Sequence, residues 1–134
     1  MAQGAVVRNA AQADRDEARA PRTRPIDMEH LANQCLGDEN LGLEVLRMFD
    51  GTIAGYFGRL RLATAFDELA AHLHTIKGAA AGVGARGVAD LARALEDDLR
   101  AGRPLKPERI DDLGMAVEEV RSFIAGLVAA DEAE

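Results

Sequence analysis

Two histidines lie two residues apart in the run Ala71-His72-Leu73-His74-Thr75-Ile76-Lys77-Gly78. On a helix that spacing turns them about 200° from each other, so they cannot share one metal ion as an H-x-H pair on a strand could. His74 projects away from the apolar stripe of Leu69, Ile76 and Val83, whereas His72 lies nearer its edge and reads as a half-buried structural residue. On the side of His74 lie Asp67, Ala70, Ala71, Lys77, Gly78 and Ala81, most of them small. Gly78 costs a helix about 0.8–1.0 kcal/mol relative to Ala, and clears space for another molecule to reach the ring. Lys77, three residues on, places an ammonium beside any anion held on the imidazole. An exposed, neutral imidazole is a competent nucleophile near pH 7, so the cluster suits a histidine that accepts a phosphoryl group from a docked protein.

Helices must position that cluster. All four prolines fall at 21, 25, 104 and 107, leaving residues 26–103 free of the strongest helix breaker. A short first helix fits Asp27 to about Leu36, with Asp27 as N-cap and Gly37 as the stop. Asp38-Glu39-Asn40 opens a long second helix carrying Leu41, Val45, Met48, Phe49, Ile53, Tyr56, Phe57 and Leu60 at spacings of three and four. Gly51, Gly55 and Gly58 recur on one stripe of it, from which a closely packed neighbouring helix is expected. Thr64 and Asp67 resemble a shortened capping box for a third helix, with Phe66, Leu69, Leu73, Ile76, Ala80 and Val83 on its apolar side and Gly82 and Gly84 at its end. Val88, Leu91, Leu95 and Leu99 mark a fourth, stopped by Gly102 and Pro104. Pro107 suits the first turn of a fifth, continued by Ile110, Leu113, Val117, Val120, Ile124 and Leu127. The expected fold is all-α: an antiparallel four-helix bundle with a short additional N-terminal helix.

Composition narrows the function classes. Sixteen basic and 23 acidic residues in 134 give a net charge of −7, and a core without Trp, with one Tyr and four Phe, must be built from small and aliphatic side chains. The acidic balance argues against a general nucleic-acid binder. No apolar run reaches the roughly 18 residues of a membrane span, and no secretory leader is evident, so a cytoplasmic protein is expected. Cys35 stands alone, without a disulfide partner or a thiolate zinc framework. Neither a GxxxxGK[ST] loop nor an H-E-x-x-H run occurs, and Cys35 with His30 reads as packing and surface rather than a catalytic pair. Residues 1–25 hold five Arg against three acids, while residues 26–134 hold 11 basic against 20 acidic residues. The division expected is a disordered extension over 1–25, a bundle over 26–130 and an acidic tail over 131–134. The Arg-rich extension reads as solvated, with partner or membrane contact and organelle targeting as the alternatives.

The run from His74 resembles the histidine-containing phosphotransfer (HPt) domains of phosphorelays: phosphoacceptor His74, then Ile76, Lys77-Gly78 and Gly84-Ala85, with Gly37-Asp38-Glu39 and Leu95-Glu96 also similar. It spans about residues 26–128. Leu73 and Ala65 depart from it, standing where the family commonly has Ala and an acidic residue. The resemblance implies a carrier rather than an enzyme, shuttling a phosphoryl group between His74 and receiver-domain aspartates. Lys77 would support the phosphate, and Gly78, Ala71 and Ala81 would admit the partner. Its partners would be response-regulator receiver domains, a hybrid histidine kinase or both, without nucleic acid or membrane, and the chain would be a monomer. It would bind no metal or cofactor itself, Mg²⁺ being carried by the receiver. The other reading is a nonphosphorylated helical interaction module that binds a receiver or kinase through the same face.

Overall fold

The computed structural model describes residues 24–133, which form five helices: α1 (Met28–Gln34), α2 (Glu39–Leu62), α3 (Phe66–Val83), α4 (Arg86–Arg100) and α5 (Pro107–Ala133). Helices α2 to α5 pack in cyclic order, α2 on α3, α3 on α4, α4 on α5 and α5 back on α2, and α1 lies against α2 and α3. This is the expected antiparallel bundle with a short extra helix. Residues 1–23 of the expected extension lie outside the described residues. Residues 131–133, placed in a tail on sequence, continue α5 as helix.

Local chemistry explains where the helices start and stop. Asp27 caps α1 by accepting from the His30 N–H, and Asp38 caps α2 by accepting from the Leu41 N–H. Each satisfies an otherwise orphaned donor of the first turn. The first helix is shorter than its pattern suggested, because Leu36 and Gly37 take φ values of +54° and +80° and turn the chain out of helix. At α3 the capping box does not form: Ala65 occupies the cap without a side-chain hydrogen bond, and Asp67 contributes only a negative charge in the first turn. Gly84 ends α3 in the left-handed conformation at φ +87°. A Cβ there would lie 2.9 Å from the Asp27 carbonyl oxygen, and the Asp27 N–H donates to the Gly84 carbonyl at 2.9 Å. The entry to α1 is thereby stitched to the turn between α3 and α4.

Aliphatic side chains fill the core: Leu46 and Ile53 of α2, Leu73, Ile76 and Ala80 of α3, Val88, Ala92 and Leu95 of α4, and Leu113 and Val117 of α5 are buried. Three sequence assignments turn outward instead. Phe66, Leu41 and Met48 are exposed, since each stands at the edge of its apolar arc and the neighbouring helices do not reach it. The stripe of Gly51, Gly55 and Gly58 meets no neighbour within 4 Å, so the close helix contact expected there is absent. Within the four-helix bundle the close approach falls at Gly114 of α5 instead, where a Cβ would lie 2.9 Å from the Phe57 ring of α2.

Candidate functional site

His74 stands on the middle of α3 between two fully buried neighbours, Leu73 and Ile76, which fix the helix against the core while the imidazole turns outward with 66% of its side chain exposed. Ala71, Gly78 and Ala81 are exposed on the same side, and nothing lies within 4 Å of where a Gly78 Cβ would be. Ala70 does not join them; it turns into the core. His72 is half-buried, with its ring edge-on to Tyr56 at a centroid distance of 5.9 Å. The two histidines thus divide into an outward and a packed one.

The residue that organises the site comes from the adjacent helix. Glu96 of α4 is the one buried charged side chain among the described residues, at 4% side-chain exposure. Its Oε2 lies 3.3 Å from His74 Nδ1 and accepts from Arg100 Nη2 and Nε at 2.8 and 3.1 Å. Lys77 Nζ lies 2.9 Å from Oε1, an ion contact without hydrogen-bond alignment. Burial pushes the Glu96 carboxyl upward, but the Lys77 and Arg100 cations outweigh that and hold it below the usual carboxylate range. An ionised carboxylate only accepts, so the hydrogen on the shared contact belongs to His74 Nδ1. In the neutral ring that tautomer leaves the lone pair on Nε2.

Sequence reasoning placed His74, Lys77, Gly78, Ala71 and Ala81 on one face. The structure brings His74 and Lys77 together through Glu96, with the lysine 27% exposed and its ammonium on the carboxylate. Sequence reasoning missed the contacts that Glu96 and Arg100 make there. The signal was available: Glu96 falls on the buried arc of α4 with Val88, Ala89, Ala92, Leu95 and Leu99, while Leu91, counted in that stripe, is only half-buried. A carboxylate on an apolar arc needs a partner. Arg100 lies one turn further, at the i, i+4 spacing.

The arrangement is a helical bundle that holds a histidine outward on one helix, with a buried carboxylate from the next helix against its ring. The family model described as the Hpt domain matches residues 44–123, which include His74, Lys77, Glu96 and Arg100. The chain belongs to the Hpt domain family, the helical modules of phosphorelay histidine phosphotransfer. No curated protein and no solved structure matches it.

Proposed function

We propose that His74 is the phosphoacceptor of a phosphorelay carrier, exchanging its phosphoryl group with receiver-domain aspartates. The observation that carries this reading is the pairing of an exposed His74 ring with a buried, ionised Glu96 on Nδ1. The Nε2 lone pair attacks the phosphorus of the receiver's aspartyl phosphate, a P–N bond forms, and the P–O bond to the aspartate breaks, returning its carboxylate. No proton has to leave. Nδ1 keeps its hydrogen, the ring becomes cationic, and the Glu96 carboxylate balances that charge. The receiver is expected to bring Mg²⁺ and the remaining phosphate ligands, so this chain's contribution is an oriented nucleophile, the nearby cations Lys77 and Arg100, and room for approach over Ala71, Gly78 and Ala81.

Incubating the full chain with a ³²P-labelled phosphorylated receiver tests the assignment. Label should appear on the chain as an acid-labile, base-stable phosphoramidate, persist in His72→Gln and vanish in His74→Gln. Loss in His72→Gln alone moves the site to His72. Stable receiver binding without any label leaves the nonphosphorylated interaction module in its place.

A further inference from the structure

On the corner of the bundle away from α3, the C-terminal half of α2 and the N-terminal half of α5 leave an open groove of about 940 Å³. Helix α3 packs on α2 and α4, and α5 on the same two, so α5 stands diagonal to the helix that carries His74. The floor of the groove is apolar: Phe57, Gly114 and Met115, the last 68% exposed. Its rim carries Asp111, paired with Arg61 at 3.1 Å, Glu118, 3.7 Å from Arg121 in an exposed pair, and Glu119, which has no ion pair among the described residues. Pro25 forms part of the same wall.

The chain leading into that proline carries a charge complementary to the rim. The residues immediately before it, Ala18-Arg19-Ala20-Pro21-Arg22-Thr23-Arg24, contain three arginines and no acid, and of them only Arg24 lies within the described residues. We propose that this Arg-rich stretch docks in the α2–α5 groove, its arginines on the acidic rim and their aliphatic stems and Pro21 on the Phe57–Met115 floor. Reach allows it: seven extended residues span about 24 Å. The groove runs from Asp111 to Ser122 of α5, about 17 Å of helix at 1.5 Å per residue. Arginine suits such a surface because its stem covers apolar area while its guanidinium meets carboxylates in a fork. Attachment at Pro25 holds the stretch at an effective concentration in the millimolar range, so a weak contact suffices to populate the docked state. Docking there covers Met115 and leaves the His74 face open.

The test uses the full chain with Ala20→Cys carrying a nitroxide and Cys35→Ala to leave one thiol, read by paramagnetic broadening of ¹⁵N amide signals. Met115, Glu119 and Ser122 should lose at least half their intensity at low salt and recover it in Glu118→Lys/Glu119→Lys, both exposed positions. Arg19→Ser/Arg22→Ser/Arg24→Ser, which leaves the groove untouched, should give the same recovery. Unbroadened α5 signals overturn the proposal, as does broadening centred on Ala71 and Gly78. Broadening of ¹⁵N chain mixed with unlabelled, nitroxide-bearing chain also overturns it, assigning the groove to a second copy.

Discussion

His74 and Glu96 are separated by 22 residues in sequence and by 3.3 Å in space, and the chemistry depends on which of them holds the hydrogen. Because Glu96 is anchored by Arg100 and Lys77, its carboxylate stays ionised and Nδ1 carries the proton. Glu96→Ala should therefore release the imidazole to the Nε2–H tautomer that free histidine favours, visible as a shift in the ring ¹⁵N resonances. Phosphoryl acceptance should slow by about tenfold or more, the scale on which a misoriented reacting group loses rate. Glu96→Gln, whose amide oxygen still accepts from Nδ1, should restore most of the tautomer and much of the rate; a Gln variant as slow as Ala would show that charge rather than orientation matters. Arg100 and Lys77 should separate as well. Arg100, although bonded to Oε2, is 57% exposed and so the more accessible to a phosphoryl group arriving from solvent, whereas Lys77 is the more buried cation on Oε1. Arg100→Ala is expected to shorten the lifetime of the phosphohistidine with little change in melting temperature, and Lys77→Ala to lower the melting temperature as well, read by label retention and thermal unfolding side by side.

The same carboxylate sets an acid limit on stability. Its pKa is lowered from 4.5 on folding, so its contribution is complete above that value and is lost as pH falls from there through the folded-state value. Asp27 behaves alike: the His30 N–H bond, first, and Arg86 lower its pKa from 3.8. Melting temperature followed from pH 6 downward should fall more steeply below pH 4.5 for the parent chain than for Glu96→Gln. Parallel curves would remove Glu96 from the account.

At the scale of elements, glycines do opposite things according to what lies beside them. Gly114→Ala drives a Cβ to 2.9 Å from the Phe57 ring, and Gly84→Ala combines a left-handed φ with a 2.9 Å approach to the Asp27 carbonyl oxygen. Backbone strain costs about 1–3 kcal/mol, so Gly84→Ala should unfold at lower denaturant concentration than the parent. At Gly114 the obstacles are ring and guanidinium ends that can shift, and the roughly 1 kcal/mol of helix propensity gained should keep the midpoint near the parent's. Gly78→Leu points into open space and should leave the unfolding midpoint within experimental error or raise it, yet impair phosphotransfer by crowding the approach to His74. Transfer at the parent rate would remove the approach role. These contrasts also mark what a sequence can disclose. Helical periodicity placed all five helices and turned His74 outward because both depend on 100° per residue within one segment. It misplaced the close contact at Gly51, Gly55 and Gly58, and took Phe66, Leu41 and Met48 as core, because which edge of an apolar arc meets a neighbour depends on how two helices cross. Glu96 reaching His74 is likewise a relation between helices, legible only as an unexplained carboxylate on a buried arc.

For the whole molecule, the decisive property is that the proposed phosphoacceptor is fastened to a packed aliphatic core. Leu73 and Ile76 are fully buried on either side of His74, and Glu96 reaches it from a helix anchored by Ala92, Leu95 and Leu99. Exposed ion pairs such as Arg47–Glu44 contribute little, about 0–1 kcal/mol each, so the bundle's rigidity rests on the aliphatic core. If His74 is the acceptor, a phosphoryl group on its exposed ring would lie on the bundle surface, with Arg100 and Lys77 gathered on the Glu96 carboxylate beside it. Phosphorylation is then expected to leave the fold unchanged. Chemical labelling of His74 with phosphoramidate should shift amide signals around residues 71–78 and 93–100 only, with hydrogen-exchange protection of Leu73 and Ile76 retained. Loss of that protection would mean that the phosphorylated state is signalled by a remodelled α3, and that the partner recognises a changed surface instead of a charge presented on a constant one.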